Sequence, residues 1–301
     1  MSDENLTLWF ANWHTDNIQH LVKIKPVYII QSEYQRIEVV DSKVYGRLLI
    51  LNGEIQLSTK FNSYIHESMT HPALLLHSDP KNVLIIGGGD GGSTTEVVKH
   101  NVESVTVVEI DREVVRVAKE YFPSLCVGFS DKRVTIEYSD GRDFVENCKN
   151  KFDVIINDIS DPKESACTVF TRRFFGKLYD CLKDDGIFLT HAESPDSCEE
   201  VFYRVIATLR DVFPIVRPFR VWIPPYIDFW GRVIASKKYD PLELDVKQIS
   251  ERIIERRLRV EWLTPELFYS MFRYFSKDIL DKMNQEWRII TEDDFPPFIR
   301  P

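Results

Sequence analysis

The first 75 residues contain short apolar runs divided by polar turns, a pattern that predicts strands. The last two runs flank Asn52-Gly53, and this dipeptide is the strongest short signal for a hairpin. The pattern therefore predicts a small antiparallel sheet in this part of the chain. Its strands are expected at Val27–Ile30, Tyr34–Val40, Arg47–Leu51 and Glu54–Leu57.

From about residue 64 the pattern changes, first to a helix and then to alternating strands and helices. The amphipathic segment His66–Leu75 predicts a helix with an interruption near Pro72. The apolar runs after it have the length of strands buried on both faces, and amphipathic segments separate them. This alternation predicts an α/β fold with a doubly wound, mostly parallel sheet. The strands are expected at Val83–Ile86, Ser104–Val108, Val134–Glu137, Phe152–Ile156 and Gly186–Thr190, and the helices at Ser93–His100, Arg112–Tyr121, Phe174–Leu182 and Cys198–Val212.

The rest of the chain predicts a closing hairpin and a helical tail. Ile215–Arg220 and Gly231–Ser236 are expected to pair, and the basic run at 251–259 is expected to be a solvated helix face. Three regions follow from these patterns. They are an N-terminal β-sheet domain at 1–75, an α/β domain at 76–240 and a C-terminal helical extension at 241–301.

Composition narrows the class of protein. The formal net charge of −9 disfavours general binding to nucleic acids, whose phosphates need basic surfaces, and suits cationic ligands. The apolar runs fall short of the ~20 residues of a membrane-spanning helix, and Met1–Glu4 lacks the pattern of a secretion signal. The five cysteines form no Cys-x-x-Cys pair, which suits a reducing compartment. We expect a cytoplasmic protein that binds neither nucleic acid nor membrane.

A glycine-rich turn follows the first strand of the predicted parallel sheet. It contains the Gly-x-Gly-x-x-Gly pattern of nucleotide-binding turns, formed by Gly87, Gly89 and Gly92. Twenty residues after Gly89, Glu109 ends the next strand, where a carboxylate accepts hydrogen bonds from both ribose hydroxyls. A tight turn without a ligand would also explain the glycines. The acid at this spacing favours nucleoside binding.

The acids near this turn indicate which nucleoside binds. Asp90 lies where a dinucleotide would place its pyrophosphate, which a carboxylate would repel. Asp90 suits instead a ligand with a positively charged tail. Asp140 follows the third strand, where it is expected to contact an adenine. An adenosine with a cationic sulfur tail therefore fits better than NAD.

A second pair of acids follows the fourth strand, in Asp158-Ile159-Ser160-Asp161-Pro162. Because ligands of open parallel sheets bind outside the carboxyl ends of the strands, Asp158 and Asp161 are expected to face the same crevice as Asp90. Aspartate and proline also favour turns and helix caps, so this segment alone leaves a structural explanation open. The neighbouring glycine loop and Glu109 favour a functional one.

These motifs together resemble the polyamine aminopropyltransferase family, which includes spermidine synthase. Gly-Gly-Gly-Asp-Gly-Gly, Val-Glu-Ile-Asp, Ser-Asp-Gly and Asp-x-x-Asp-Pro occur in the family's order, and the resemblance runs from about Tyr34 to Ser236. It implies a Rossmann-like, methyltransferase-like fold. It also implies decarboxylated S-adenosylmethionine as co-substrate, methylthioadenosine as by-product, no prosthetic group and no metal. The implied partners are a polyamine acceptor and further copies of the chain, as a homodimer or homotetramer.

The resemblance also implies roles for single residues. The catalytic base is implied to be Asp158. The contacts to the donor are implied to be Gln56, Gly87, Gly89, Asp90, Glu109 and Asp140. The contacts to the acceptor are implied to be His66, Glu67, Asp90, Asp161 and Tyr226.

Three departures from the family affect the acceptor site. Ile65 stands where the family usually has a tyrosine before the His-Glu pair, so the preceding Tyr64 receives no role. Residues 163–166 replace the common Gly-Pro-Ala, so details of that loop do not transfer. Pro224–Gly231 resembles thermospermine synthase instead of spermidine synthase. Within it, Asp228 is a candidate contact for the distal amine of a longer acceptor, or else a solvated acid.

The acceptor and two other functions stay open. The segment around Asp228 favours spermidine slightly, whereas Asp90-Gly91-Gly92 is the spermidine synthase form of the loop and suits putrescine or agmatine. A methyltransferase on the same fold is disfavoured, because Asp90 would face the carboxylate of intact S-adenosylmethionine. An idle nucleoside- or polyamine-binding regulator is disfavoured by the pair Asp158 and Asp161.

Overall fold

The computed structural model describes residues 8–15, 18–149, 151–159 and 164–296. Within these ranges the chain forms two sheets, one of five strands and one of seven. No helix in the described part of the chain has the length and apolarity needed to cross a bilayer. Asp161, one of the predicted site residues, lies outside the described ranges.

The N-terminal sheet is antiparallel throughout and follows the order of the chain. Asn52 and Gly53 have positive φ angles of 49° and 82° and form the predicted turn between the last two strands. The first strand and the first half of the second were not predicted. The strands are β1 Leu8–Thr15, β2 Ile18–Gln31, β3 Arg36–Ser42, β4 Gly46–Leu51 and β5 Glu54–Ser58.

The larger sheet confirms the predicted doubly wound, mostly parallel architecture. Its strands are β6 Asn82–Gly87, β7 Ser104–Val108, β8 Val134–Glu137, β9 Phe152–Asp158, β10 Leu182–Glu193, β11 Ile215–Ile223 and β12 Asp228–Ser236. The order is β11-β12-β10-β9-β6-β7-β8. β12 pairs antiparallel with both β10 and β11, and the other neighbouring strands pair in parallel. The chain passes from β6 to β7 and β8 on one side and returns to β9 on the other. The strand order therefore reverses between β6 and β9.

Helices cover both faces of this sheet. Val83 and Ile85 of β6 pack on the side of the first helix, and Leu84 and Ile86 pack on the opposite side. Such alternation is expected of strands buried on both faces. The helices are α1 Asn62–Leu76, α2 Gly92–Val97, α3 Arg112–Tyr121, α4 Gly141–Glu146, α5 Arg172–Cys181, α6 Glu199–Arg210, α7 Val246–Glu255, α8 Pro265–Met271 and α9 Lys277–Met283. Short 3₁₀ turns lie at Val127–Ser130, Glu164–Phe170 and Pro241–Glu243.

Two helix predictions were wrong in detail. Pro72 does not interrupt α1, which is buried from Ile65 to Leu76, so packing outweighs the one backbone hydrogen bond that proline removes. The helix predicted to reach His100 ends as α2 at Val97. The N–H groups of Lys99 and His100 bond three residues back, which tightens the end into a 3₁₀ turn.

The basic run at 251–259 is not merely a solvated face. Arg252 donates to the backbone oxygen of Leu76 at 2.7 Å, and Arg256 donates to that of His77 at 2.7 Å. The last carbonyls of a helix have no partners within it. The arginines of α7 supply those partners and fasten α7 to the end of α1.

Candidate active site

The carboxyl ends of the parallel strands bring several predicted site residues to one edge of the sheet. Gly87 ends β6 and pairs in register with Asp158, which ends β9. Glu109 follows β7, Asp140 follows β8, and His191 lies near the end of β10. Because the strand order reverses between β6 and β9, their ends border the crevice in which such sheets bind ligands.

Close contacts require two glycines of the loop. Gly87 has a φ of +82°, and a Cβ there would lie 2.4 Å from the backbone oxygen of Asp158. A Cβ on Gly89 would lie 2.7 Å from Oε2 of Glu109, to which the Gly89 N–H donates at 3.0 Å. A side chain at either position would displace an acid of the site. The loop is therefore fitted closely to Asp158 and Glu109.

Glu109 is a buried carboxyl group with an unusual pKa. Its Oε1 accepts a hydrogen bond from the N–H of Asp111 at 2.9 Å, and only 7% of the residue is exposed. Burial raises the pKa of Glu109 to about 7, and the backbone hydrogen bonds from Asp111 and Gly89 offset only part of this effect. Hydroxyl donors from a ligand would stabilise its ionised form.

Helix α1 places His66 against Asp90. The buried ring makes contacts at both nitrogens, with Nδ1 2.6 Å from Oδ1 of Asn62 and Nε2 3.0 Å from Oδ2 of Asp90. Oδ1 of Asp90 accepts from the N–H of Gly92 at 2.9 Å. Burial alone would lower the pKa of His66, but the carboxylates of Asp90 and Asp158 outweigh it and raise the pKa.

Asp158 completes this cluster. Burial alone would raise its pKa, but the hydrogen bond from His191 and the charge of nearby His66 outweigh burial, so the pKa of Asp158 is lowered. One nitrogen of His66 and one oxygen each of Asp90 and Asp158 lie within 4.8 Å of one another. This spacing would also suit a metal ion; in the structure Nε2 of His66 contacts Asp90 directly and Nδ1 contacts Asn62. The arrangement keeps Asp158 ionised and presents negative charge to a ligand.

Two further predicted donor contacts are bonded to residues outside this cluster. Asp140 caps α4 and accepts hydrogen bonds from the backbone and side chain of Arg142, and these bonds lower the pKa of Asp140. Gln56 lies in β5, and its backbone oxygen accepts a hydrogen bond from the hydroxyl of Tyr226 at 3.1 Å. This bond ties the N-terminal sheet to the loop between β11 and β12. Tyr226, a predicted acceptor contact, therefore lies between the two sheets.

The carboxylate of Glu67 is bound by backbone groups that lie far from it in the sequence. Its buried carboxylate accepts hydrogen bonds from three backbone N–H groups, those of Glu261 at 2.6 Å, Trp262 at 3.0 Å and Leu263 at 2.8 Å. The Tyr64 ring packs against that of Trp262, with centroids 5.8 Å apart. These contacts fasten the segment before α8 to α1. Contact between Glu67 and the acceptor stays a prediction.

Asp228 begins β12, so it lies at a strand end and not in the middle of a loop. Its Oδ2 accepts from the hydroxyl of Ser197 at 2.7 Å, and its Oδ1 accepts from the N–H of Phe229 at 2.7 Å. The carboxylate is partly exposed and held in one orientation by these bonds. Its predicted contact with a distal amine is compatible with this placement and stays a prediction.

Sequence reasoning missed His191, which contacts Asp158, and two residues that lie against His191. Nε2 of His191 lies 3.4 Å from Oδ1 of Asp158, and Nδ1 of the same ring accepts from the indole N–H of Trp230 at 3.1 Å. The buried Arg232 pairs in register with His191 across β10 and β12. His191 follows the buried part of a parallel strand, as Asp158 does, so the strand-end rule could have found it. Trp230 and Arg232 lie in β12, to which the sequence pattern gave no functional role.

Comparison with known proteins places this fold and site within a class. A nucleotide-type loop at the switch point of a methyltransferase-like sheet, with acids gathered beside it, is typical of transferases that use a nucleoside donor. A model of the spermine/spermidine synthase domain matches residues 62–247, and a model of the spermidine synthase tetramerisation domain matches residues 8–59.

Curated relatives and solved structures agree. The polyamine aminopropyltransferase of Caldicellulosiruptor bescii is 37% identical over 89% of this chain and 95% of its own length. Polyamine aminopropyltransferase 1 of Aquifex aeolicus is 41% identical over 84% of this chain and 92% of its own. A spermidine synthase in complex with the transition state analogue AdoDATO superposes with a TM-score of 0.86 and 32% identity, covering 92% of this chain and 94% of that chain. Spermidine synthase from Thermotoga maritima gives a TM-score of 0.83 at 31% identity, with the same coverage.

This chain belongs to the polyamine aminopropyltransferase family. It is a transferase whose co-substrate is decarboxylated S-adenosylmethionine, and no prosthetic group is indicated. The match to the tetramerisation domain supports assembly into an oligomer.

Proposed function

We propose that this enzyme transfers the aminopropyl group to spermidine, with putrescine or agmatine as the alternative acceptor. The cluster of Asp90, His66 and Asp158 beside the ends of β6 and β9 is the observation that supports the proposed catalysis. The choice of spermidine is supported by the extra carboxylate of Asp228, which Ser197 holds in place. The spermidine synthase form of the loop at Asp90 and the names of the two solved relatives favour putrescine.

Each side chain then has a proposed role at the crevice. Glu109 binds the ribose hydroxyls, Asp140 contacts the adenine, and Gly87 and Gly89 let the backbone approach the nucleoside. Gln56 and Asp90 bind the aminopropyl tail, and Asp158 is the catalytic base. The acceptor contacts are His66, Glu67, Asp90, Asp161, Tyr226 and Asp228.

The charges of the substrates explain why acids are needed. The donor carries a sulfonium and an ammonium, and the acceptor carries at least one further ammonium. Two such cations about 4 Å apart repel by about 4 kcal/mol at an effective dielectric constant near 20. Asp90 and Asp158 lie close enough to one another to offset this repulsion between the two substrates.

Removal of a proton from the acceptor is the harder requirement. An alkyl ammonium has a pKa of about 10 and an aspartic acid one of about 4, so direct transfer is uphill by about 8 kcal/mol at solution values. The lowered pKa of Asp158 widens this gap, whereas the cationic donor narrows it by lowering the pKa of the adjacent ammonium. The freed nitrogen then attacks the carbon next to sulfur, and the C–S bond breaks to release methylthioadenosine. Proximity and orientation supply much of the acceleration.

A competition assay tests the acceptor. The enzyme is given decarboxylated S-adenosylmethionine with putrescine and spermidine at equal concentrations, and the products are separated by chromatography. We expect methylthioadenosine together with a tetraamine as the main product. Spermidine as the main product would show that putrescine is the preferred acceptor. This result would reject spermidine as the acceptor but not the transfer of the aminopropyl group. Failure to release methylthioadenosine with putrescine, spermidine or agmatine would reject the proposed function itself.

The variant Asp158→Asn tests the base. We expect a loss of kcat of at least about 100-fold, the order typical of a lost general base, with binding of methylthioadenosine largely kept in calorimetry. Asp143→Asn, an exposed position in α4, is the matched control and should change neither quantity. Calorimetry with decarboxylated and intact S-adenosylmethionine also separates the proposal from a methyltransferase, because Asp90 should repel the intact ligand's carboxylate.

The finer assembly and location are part of the same proposal. We propose a cytoplasmic homodimer or homotetramer that does not bind nucleic acid or membranes. The net charge of −9 and the match to the tetramerisation domain support it. Sedimentation of the purified protein distinguishes the two assemblies.

A further inference from the structure

The side chains behind Asp158 form a chain of hydrogen bonds that ends on a tryptophan. Trp230 donates its indole N–H to Nδ1 of His191 at 3.1 Å, and Nε2 of His191 lies 3.4 Å from Oδ1 of Asp158. An indole nitrogen can only donate. Nδ1 must therefore accept, and in the neutral imidazole the proton lies on Nε2, facing Asp158. Trp230 thus fixes the tautomer of His191.

The same contact opposes a charged imidazole. A protonated Nδ1 would place two donors, those of His191 and Trp230, against each other. The guanidinium of Arg232, which is fully buried and lies opposite His191 in the strand register, adds a like charge. Burial lowers the pKa of His191, and the hydrogen bond with Asp158 only partly offsets this. The charged groups that act on the ring are Asp158, Arg232 and His66.

The backbone places these side chains through an irregularity in the sheet. The pairing of β10 with β12 shifts register between His191 and Glu193, and Glu193 has a positive φ of 63°. Bulges of this kind re-aim side chains and occur next to active sites. A Cβ on Gly231, which follows Trp230, would lie 2.3 Å from the backbone oxygen of Glu193, so the bulge also depends on this glycine.

The two oxygens of Asp158 have different surroundings. Oδ1 faces His191, whereas Oδ2 lies beside the loop, 3.1 Å from the place that a Cβ on Gly88 would take. A neutral donor on Oδ1 fixes the rotation of the carboxylate without adding a cation to a site that must accept two cationic substrates. Oδ2 remains directed toward the loop that carries Asp90.

We propose that His191 is a positioning residue, held by Trp230 as the neutral Nε2–H tautomer, that orients Asp158 so that Oδ2 receives the proton of the acceptor amine. The proposal rests on the proposed role of Asp158 as the base. His191 does not take the proton itself, because its Nε2 already carries one and its Nδ1 faces a donor.

Kinetics of three variants test this role. His191→Leu should lower kcat by roughly 100-fold, the effect of a misplaced catalytic group, with little change in the KM for the amine. His191→Gln keeps an N–H donor of similar reach and should recover most of kcat. Trp230→Phe keeps an aromatic ring beside Tyr226 but loses the N–H, and should lower kcat less than His191→Leu does. Trp222→Phe, at an exposed tryptophan of β11, is the matched control.

A spectroscopic measurement is independent of turnover. Long-range ¹H–¹⁵N spectra of the histidine rings distinguish the two tautomers, and His191→Gln identifies the signal. We expect the Nε2–H tautomer in the native enzyme and a loss of its dominance in Trp230→Phe. An Nδ1–H tautomer or an imidazolium at pH 7.5 overturns the proposal.

The kinetic outcomes separate this inference from the proposed function. A normal kcat in His191→Leu beside an inactive Asp158→Asn overturns the positioning role alone. Equal loss in His191→Leu and His191→Gln also overturns it, because the imidazole would then act directly. An active Asp158→Asn overturns the proposed base and the positioning role together.

Discussion

Glu109 is buried, but its proposed role of accepting hydrogen bonds from two ribose hydroxyls requires an ionised carboxylate. In the unfolded chain its pKa is near the ordinary value of 4.5, whereas burial in the folded protein raises it to about 7. The folded state therefore binds more protons between these values, and the stability of the fold falls as the pH rises through this window. At 1.36 kcal/mol per pKa unit, the loss is about 3 kcal/mol. A bound ribose would recover part of this cost by donating hydrogen bonds.

The pH dependence of nucleoside binding tests this account. Below pH 7 the carboxyl group of Glu109 must lose a proton before it accepts from two hydroxyls, so the affinity for methylthioadenosine should fall by up to about tenfold per pH unit. Calorimetry between pH 5.5 and 8.5 measures it. Glu109→Gln should bind weakly with little pH dependence, because its amide does not titrate and keeps only one acceptor oxygen. Strong binding by this variant would contradict the role of Glu109.

Gly89 tests the fit between the loop and Glu109. The added methyl group of Gly89→Ala would lie 2.7 Å from Oε2 of Glu109, a distance that requires the acid to move. We expect the affinity for methylthioadenosine to fall by about tenfold or more, equivalent to about 1.4 kcal/mol. Gly176→Ala in α5 is the control, because a Cβ there meets nothing within 4 Å. Equal affinities of the two variants would show that the loop does not depend on this contact.

The sequence allowed prediction of the site residues that follow strands and belong to motifs. Gly87, Glu109 and Asp158 are of this kind, since strand ends of a parallel sheet converge on one edge. Glu67 could not be assigned in this way, and for His191 the strand-end rule marks the position but not the role. The partners of Glu67 are backbone groups almost 200 positions later, and the partner that fixes the His191 ring lies in another strand. Contacts of this kind depend on tertiary packing.

At the scale of elements, α1 connects the site to the C-terminal segments. His66 faces the loop, while the next residue, Glu67, binds the backbone before α8. Arg252 of α7 and Arg256 at its C-cap bind the carbonyl groups at the end of the same helix. The C-terminal helices therefore support the position of His66 although they lie far from it in the sequence.

Replacement of Glu67 distinguishes support of the fold from contact with the acceptor. Glu67→Ala leaves three backbone N–H groups without their acceptor, so we expect the free energy of unfolding to fall by about 3 kcal/mol. Glu67→Gln keeps one acceptor oxygen and should lose less. Thermal unfolding of both is compared with Glu255→Ala, an exposed position in α7. A stable Glu67→Ala with a raised KM for the amine would instead favour the acceptor contact.

Element prediction succeeded where one physical signal dominated. The apolar runs predicted every parallel strand, and Asn52-Gly53 predicted a turn, because burial on both faces of the central strands and positive φ leave clear patterns. β1 was missed because its sequence, Leu8–Thr15, has no regular alternation of apolar and polar residues. The continuity of α1 through Pro72 was missed because burial of the helix, which local sequence does not show, decides it.

At the scale of the whole molecule, the N-terminal sheet presents an apolar surface to solvent. Trp9 and Leu21 lie on one face of the β1–β2 hairpin, since Trp9 pairs with Lys23 and Ala11 with Leu21. They are 61% and 57% exposed, whereas Val22, on the other face, is buried. Exposed apolar patches of this kind mark interaction sites. The patch lies in the region that matches the tetramerisation domain.

Charged residues placed on this face should break the oligomer. Burial of apolar surface favours association by about 25 cal/mol per Å². The double variant Trp9→Lys/Leu21→Lys removes part of this surface and adds the cost of desolvating two charged lysines. We expect the native protein to sediment as an oligomer and the double variant as a smaller species with its folded circular dichroism spectrum kept. Ile254→Lys, 71% exposed in α7, should leave the assembly unchanged. If the double variant sediments like the native protein, the hairpin face is not the interface, and assembly must use another part of the region at 8–59 or the larger sheet.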